Sequence, residues 1–297
     1  MTTNSITITY LTKVSFASLN GADKEVDNIN PIKKITLADG TELPYVSSQA
    51  LRRAVRDRLG EMGNLLSPIG VKKENDKKNA SKTECNPVTY IDDDLFGFMD
   101  AAKGEGSEKG KSTTRTSPVR VDALLALTQY QGDLDFGTNY MGKSVGNDPN
   151  IFETEIHSGI YRGSILIELD RVGCGDGFDK ALSNEDKAKR VLAFIDAFRT
   201  LWSSGRQSRF LADISPKFIA AACMKAKNPI FLESVNAVGN KVNVEELTGV
   251  VKDYEKFIDA HVFATQSSIF PTDNKSVVTL ADGFTTIEKW VKDFYKI

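Results

Sequence analysis

The fold is clearest in the sequence at residues 44–57, PYVSSQALRRAVRD, where a β-rich segment runs into a helix. The two serines offer the side-chain oxygens that cap helix N-termini. After them, Leu51, Val55 and Leu59 recur at the i, i+4, i+8 spacing of a buried helix face. The stretch therefore predicts a strand followed by a capped amphipathic helix whose apolar side lies against a core.

The opposite face of this helix carries an amide and three guanidinium groups, from Gln49, Arg52, Arg53 and Arg56. Guanidinium groups fit phosphate oxygens in a bidentate manner, and helix N-termini bind phosphates through their free N–H groups. The same residues also suit an ordinary solvated surface, with an Arg53–Asp57 ion pair at i, i+4. Taken alone, the pattern favours the solvated surface and leaves a phosphate site open.

Bulk composition limits the classes of function. The 297 residues include 40% hydrophobic and 26% charged residues, which is typical of a globular protein. The net charge of −2 argues against a generally cationic nucleic-acid binder, so a polyanion site has to be a local concentration of charge. The three cysteines are far apart and form no CxxC, which disfavours a disulfide framework or a zinc site. Without a membrane-length apolar run or a signal-peptide pattern, we expect a cytoplasmic protein.

Strand and helix signals alternate irregularly along the chain, without an internal repeat. This order predicts one α/β (α+β) domain with a small sheet and helices on one face. Residues 5–20 predict the first strand, and the turn formers at 38–40 predict a hairpin. Further helices are predicted at 182–204, 244–263 and 285–297, and further strands at 206–214 and 217–224.

Three stretches predict loops or insertions. Residues 72–84 are polar and of mixed charge, which predicts a solvated or partly disordered loop. Residues 103–117 are rich in glycine, serine and lysine, which predicts a mobile loop. Residues 128–155 combine five acids with turn formers. This last stretch is predicted to project from the body of the domain.

Several motifs resemble, in the same order, those of the backbone subunit of type I CRISPR Cascade complexes, the Cas7 family. VSSQALRRAVRD (46–57) resembles that family's Ser-Ser-Gln-x-Leu-(Lys/Arg)-Arg signature, and DDDLFGFM (92–99) resembles its Asp-x-x-Leu-(Phe/Ser)-Gly-x-Met segment. ETEIHSGIYRGSILIEL (153–169) is similar to the family's Phe-Ser-Ser-Gly-x-Phe-Tyr-Arg strand. RTSPVRVDALLAL (115–127) looks most like the DevR-like branch of type I-B systems. The matches span roughly residues 5–235.

The resemblance implies an RRM-like (ferredoxin-like) palm over residues 1–297, with a finger-like insertion at 61–117 and a thumb at 128–155. Copies would polymerise along the guide crRNA with other Cascade subunits and present the guide for pairing with target DNA. In such complexes base pairing reads the sequence while protein holds the sugar-phosphate backbone. The protein would then be no enzyme and would need no metal or cofactor.

Carried onto matching positions, the resemblance implies RNA contacts in the helix of the opening motif and in three loops. The helix residues are Ser47, Ser48, Gln49, Arg52, Arg53 and Arg56, and the weaker candidates are Asn20, Met99, Arg115, Arg206 and Arg209.

The acidic insertion suggests how copies could meet. One subunit's thumb, which includes Asp133 and Asp135, would lie near its neighbour's basic palm. Opposite patches on one chain make head-to-tail contacts, and these generate open helical filaments. An acidic surface loop without such a role is the simpler alternative.

Competing chemistry is weaker. Asp92, Asp93 and Asp94 invite a metal nuclease, but consecutive helix residues point about 100° apart, so we expect helix-stabilising acids instead. Asp23 lies in a loop comparable to the one whose aspartate cuts target RNA in the related type III subunits, and this is the second interpretation. His157 is expected to be structural, and VGCGDGF (172–178) lacks phosphate-loop spacing. A free-standing DNA-binding regulator ranks last because no helix-turn-helix is evident.

Overall fold

A computed structural model describes residues 3–23, 28–71, 81–100, 113–146, 150–203 and 208–297. The helices in these ranges are α1 (Ser48–Glu61), α2 (Ile91–Phe96), α3 (Asn184–Arg199), α4 (Val244–Asp253) and α5 (Leu280–Tyr295). The strands up to the middle of the chain are β1 (Ser5–Ala17), β2 (Ile29–Asn30), β3 (Lys34–Thr36), β4 (Glu42–Val46), β5 (Gly70–Val71), β6 (Ser81–Lys82), β7 (Phe98–Asp100), β8 (Thr113–Arg115) and β9 (Val119–Val121). The later strands are β10 (Leu124–Ala126), β11 (Leu134–Asn139), β12 (Asn150–Glu155), β13 (His157–Glu168), β14 (Phe218–Met224), β15 (Ala237–Val238), β16 (Lys241–Val242), β17 (Ile258–Thr265) and β18 (Val277–Thr279).

One large sheet organises the domain. Its strand order is β18-β17-β14-β1-β13-β10-β4-β3, and β9 also pairs with β13. The ladders that join β14, β1, β13, β10 and β4 are all antiparallel, whereas β17 and β18 run parallel. The chain thus forms a mixed α and β domain around a sheet whose two central strands are β1 and β13.

Strand β1 lies at the centre because it is buried on both faces. Ile6, Ile8 and Tyr10 belong to the larger hydrophobic core, while Leu11 belongs to a second core on the other side of the sheet. Between them, Thr9 forms a hydrogen bond of 2.6 Å with Ser164 of β13. β-Branched residues suit such a doubly covered pleated surface.

Helices cover both faces of the sheet. The larger core includes buried residues of α1, α3 and α5, and the second core includes Val244 and Leu247 of α4. The prediction of helices on one face was therefore wrong. The sequence pattern predicted a helix at 244–263, but nothing in it indicated that α4 covers the face of the sheet opposite α1, α3 and α5.

The predicted helix at 244–263 is also wrong in its second half. Helix α4 ends at Asp253, and residues from Ile258 form β17, which pairs with β14 from Phe218 to Met224. Val262, Phe263 and Ala264 are buried in this strand. The predicted strand at 206–214 is replaced, in its described part, by loop residues with one isolated bridge between Asp213 and Trp202.

The thumb region forms a hairpin outside the large sheet. Strands β11 and β12 form an antiparallel ladder in which Leu134 is opposite Glu155 at one end and Asn139 is opposite Asn150 at the other. Strand β2 adds a third strand, parallel to β12. A 3-10 helix at Tyr140–Val145 follows β11 at the far end of the hairpin. We call residues 134–155 the thumb hairpin. Residues 72–80 and 101–112, which hold most of these two predicted loops, lie outside the described residues.

Candidate nucleic-acid interface

Helix α1 begins in a tightly connected corner. Ser47 is its N-cap and accepts a hydrogen bond from the N–H of Ala50 at 3.3 Å. The Ser48 hydroxyl donates to the carbonyl of Val121 at 2.6 Å, and the N–H of Ser47 donates to the side-chain oxygen of Asn20 at 2.9 Å. Three of the predicted site residues therefore lie together, and their side chains fix the direction in which α1 enters the domain.

Gln49 and Arg53 are the exposed members of the predicted RNA-binding set on α1. Arg53 binds Asp57 through Nε at 2.8 and 2.9 Å, so the predicted i, i+4 pair is present. Its side chain remains 58% exposed. An exposed pair of this kind is weak and is easily exchanged for another anion.

Arg52 is half-buried beside α2. One of its Nη atoms donates to the carbonyl of Phe96, and its guanidinium lies 5.4 Å from the centroid of the Phe96 ring. Burial lowers the pKa of Arg52 below its ordinary value, but a guanidinium stays charged in proteins. Arg52 therefore contributes positive charge near the start of α1 while most of its side chain rests on protein.

Arg56 does not belong to an open cationic face. Its Nε binds Asp92 at 2.7 Å, and its Nη2 donates to the carbonyl of Ser67. Its side chain is 17% exposed and Asp92 is 3% exposed. We correct the expectation for Arg56: it ties α1 to α2, because the buried carboxylate of Asp92 requires a cationic partner.

Arg115 is buried, so its guanidinium is not accessible at the protein surface. It forms an ion pair with Asp94, and the two side chains are 1% and 0% exposed. Its guanidinium also donates to the backbone carbonyls of Asp94, Arg171, Cys174 and Asp176. The expectation of an RNA contact is corrected: every guanidinium nitrogen is engaged inside the domain.

The three consecutive aspartates diverge, as predicted for a helix. Asp92 binds Arg56, Asp93 accepts from the N–H of Asn86 at 2.9 Å, and Asp94 binds Arg115 and Arg190. Asp94 also accepts from the N–H of Gly173. Each carboxylate thus holds a different segment against α2. Within the described residues, no group of three or more His, Cys, Asp or Glu is arranged to hold a metal ion.

A polar concavity lies beside the start of α1. It measures about 430 Å³ and is lined by residues 21–23, Lys33, Lys34 and Tyr45. The N–H of Lys33 donates to the carbonyl of Asn20 at 2.8 Å, which joins this wall to the α1 corner. Lys33, Lys34 and Tyr45 were not predicted from the sequence. The adjacent lysines were the only available signal, and nothing in the sequence placed them next to Asn20.

A second concavity, of about 340 Å³, connects the same loop to the base of the thumb hairpin. Its lining includes Asp23, Lys34, Glu42 and Glu155. Asp23 is exposed and borders both concavities. The α1 corner, the 20–23 loop and the thumb base therefore border one continuous polar surface.

The remaining candidates lie elsewhere. Met99 is 71% exposed on the β7–β8 hairpin, where it pairs with Thr114. Arg209 contacts the thumb hairpin through Asp135 and Thr154. Arg206 lies outside the described residues. His157 is buried, with Nδ1 2.7 Å from the Tyr161 hydroxyl, and burial lowers its pKa, which suits the structural role predicted for it.

Comparison with known proteins decides the family. The model of the family described as "CRISPR-associated negative auto-regulator DevR/Csa2" matches residues 8–246. The chain belongs to the DevR/Csa2 family. The DevR-like resemblance of the sequence motifs is thereby confirmed. Helices α1–α3, central strand β13, most of central strand β1 and the thumb hairpin fall inside the matched range.

Two curated relatives in the DevR/Csa2 family carry related names. The "CRISPR-associated protein Cas7/Cst2/DevR" of Myxococcus xanthus is 28% identical over 204 residues, covering 65% of this chain and 63% of the relative. The "CRISPR-associated aCascade subunit Cas7/Csa2 2" of Saccharolobus solfataricus is 26% identical over 178 residues, covering 55% and 53%. The alignments span less than two thirds of either relative's length.

Solved structures show the same fold for this DevR/Csa2 member. A chain of a "CRISPR RNA-guided surveillance complex, pre-nicking" superposes with a TM-score of 0.63 at 16% identity, covering 97% of this chain and 99% of that one. A chain of a second "CRISPR RNA-guided surveillance complex" gives a TM-score of 0.59 at 16% identity, with 96% and 98% covered. At this identity the likeness concerns the fold alone. No helix in the described part of the chain is long and apolar enough to cross a membrane.

Proposed function

We propose that this protein is a guide-RNA-binding backbone subunit of a type I CRISPR effector complex. In this role it would polymerise along crRNA in the cytoplasm, join other Cascade subunits and present the guide for pairing with target DNA. It would do so without catalysing a reaction. Membership of the DevR/Csa2 family and the fold shared with chains of surveillance complexes support this assignment.

The topology supports an RRM-like palm. When the intervening elements are left out, β1, α1, β10, β13, α3 and β14 occur along the chain in the order βαββαβ. Their order in the sheet is β14-β1-β13-β10, with antiparallel neighbours. This order matches the split βαβ arrangement of ferredoxin-like domains, which supports the proposed palm. The long segments between α1 and β9 and between β10 and β13 would then be the fingers and the thumb.

The observation that carries the proposal is the surface at the start of α1. Gln49 and Arg53 are exposed there, and the first turn of α1 holds no acid. Lys33 and Lys34 line the adjacent concavity. Backbone N–H groups of a helix start and nearby cations stabilise phosphates without reading bases. We therefore keep Gln49, Arg52 and Arg53 as RNA contacts, place Ser47, Ser48 and Asn20 at the same corner, and add Lys33.

The direct test is a binding series with the chain of residues 1–297. Two single-stranded RNAs of unrelated sequence should bind equally, and their affinity should fall steeply with salt. A preference for one duplex DNA would instead support an autoregulator. Binding to neither nucleic acid would overturn the proposal.

Asp23 gives a second candidate function, the cleavage of target RNA by a type III-like subunit. Its exposed position between the two concavities favours this function. RNA paired to the bound guide would then be shortened in Mg²⁺, and Asp23→Ala would abolish cleavage without weakening guide binding. Intact target RNA after incubation with the wild-type protein would rule this function out.

A further inference from the structure

An arginine of the palm, Arg209, binds the base of the thumb hairpin. Arg209 forms an ion pair with Asp135 of β11 and donates to the hydroxyl of Thr154 of β12 at 3.1 Å. Asp135 and Thr154 are directly opposite each other in the ladder. The guanidinium also lies 5.0 Å from the ring centroid of Phe152 and 5.3 Å from that of Phe210. Arg209 thus contacts both strands of the hairpin and lies near two aromatic rings.

A lysine grips the next residue of the hairpin. Lys34 Nζ binds the two carboxylate oxygens of Glu155 at 2.9 and 3.0 Å, and it lies 4.3 Å from the Tyr130 ring centroid. The N–H of Ile32 donates to Glu155 at 2.9 Å. Successive strand side chains point to opposite faces, so Thr154 and Glu155 are held from opposite sides. The hairpin therefore has one ionic clamp on each face.

Both clamps bind the base of the thumb hairpin, so they determine the position of its far end. Four pairs of opposing residues extend beyond the Arg209 clamp: the first is Phe136 opposite Glu153, and the last is Asn139 opposite Asn150. At a strand rise of about 3.4 Å per residue, the tip is on the order of 14 Å from the clamp. A small rotation at the base then moves the tip by ångströms.

We propose that Arg209 and Lys34 are positioning residues: they hold the thumb hairpin in its RNA-binding orientation before RNA arrives. The proposal rests on the proposed function, in which the thumb folds over the guide. It replaces the expectation that Arg209 touches RNA, because its side chain, 30% exposed, is engaged by Asp135, Thr154 and two aromatic rings, whereas Arg53 remains 58% exposed. If the thumb is already oriented in the free protein, RNA binding does not lose free energy to the ordering of the thumb.

A charge exchange separates the two roles of Arg209. Arg209→Asp and Asp135→Arg should each weaken the binding of single-stranded RNA about tenfold, and the double exchange should restore it to within a few fold. A phosphate-binding arginine would not be rescued, since the exchanged aspartate repels phosphate. The Lys225–Asp259 pair is a matched control, with side chains 29% and 36% exposed against 30% and 37% for Arg209 and Asp135. Exchanging its charges should leave RNA affinity unchanged.

The orientation of the thumb is measured in the free protein. Spin labels at Lys143→Cys in the thumb and Lys189→Cys on α3, in a background lacking the three native cysteines, report the distance between thumb and palm. The distribution should be narrow in the parent, broad in each single variant and narrow again in the double exchange. Arg209→Gln, a milder change, should broaden it as well if a charge reversal fails to fold.

Two results would overturn the proposal. Single variants with an unchanged distance distribution would show that the clamp does not orient the thumb. A double exchange that restores the distance but not RNA affinity would show that Arg209 binds RNA directly. If the parent protein binds no RNA, the proposed function fails instead, and the distance distributions alone decide whether the clamp exists.

Discussion

The guanidinium of Arg115 lies against the carboxylate of Asp94, and both side chains are almost completely buried. Arg190 binds the other Asp94 oxygen at 2.6 Å and also reaches the carbonyls of Pro87 and Val88. One carboxylate thus joins α2, β8 and α3. The motif that resembles an RNA-binding loop is here the anchor of the segment between α1 and β9.

Removing this carboxylate should be costly. Asp94→Ala leaves two arginines without their buried partner, so we expect the free energy of unfolding to fall by about 3–5 kcal/mol. Urea unfolding measures it. Asp57→Ala, which breaks the exposed pair with Arg53, is the control and should cost no more than about 1 kcal/mol. Equal losses in the two variants would contradict the role assigned to Asp94.

Asn20 should act on the α1 corner through the N–H of Ser47. Asn20→Ala leaves that half-buried donor without its acceptor, so we expect a loss of about 1–3 kcal/mol in unfolding free energy. Asn20→Asp keeps an acceptor oxygen and should retain most of the stability. If both variants unfold at the same urea concentration as the parent, the hydrogen bond does not anchor α1.

Stability should decrease in mild acid because of His157. Burial lowers the pKa of His157 in the folded protein, although the nearby Asp133 opposes this shift. The unfolded protein therefore binds more protons once the pH falls below about 6.5, the ordinary histidine pKa. The stabilisation is complete above that pH and is lost as the pH falls towards the lowered pKa. His157→Gln should flatten the dependence of unfolding free energy between pH 7 and 5. His261, whose pKa burial also lowers, stays in both proteins, so the difference isolates His157.

Self-assembly on RNA should depend on only part of the thumb's acidity. Asp135 and Glu155 are neutralised within the chain by Arg209 and Lys34. Asp133 and Glu153 form no ion pair within the described residues. We therefore expect Asp133→Lys with Glu153→Lys to shorten the assemblies seen by sedimentation on a long RNA. Assemblies of unchanged length would remove the acidic thumb from the contact between copies.

Helices were predicted correctly where the local sequence pattern agreed with the packing of the fold. Residues 47–61 and 183–199 carry capping serines and apolar periodicity, and both form the expected helices. Residues 258–265 continue a helical pattern but form β17, because the edge of β14 offers a ladder that outweighs local propensity.

The site was harder to predict because burial is a property of the tertiary fold. Arg56 and Arg115 have the same side chain as Arg53. They differ from it because Arg56 contacts the buried carboxylate of Asp92 and Arg115 contacts that of Asp94. Lys33 joins the site through a backbone hydrogen bond to Asn20, a pairing across 13 positions that has no local sequence signal.

The most direct test of the central claim is the salt dependence of RNA binding after removing charge from α1. Arg52→Gln with Arg53→Gln should weaken binding equally for RNAs of unrelated sequence and lower the slope of log K against log salt by about one to two units. Lys180→Gln with Lys189→Gln removes the same charge from exposed positions outside α1 and should leave the slope unchanged. If the α1 variant keeps the parent's affinity and slope, helix α1 does not hold the guide and the account is wrong.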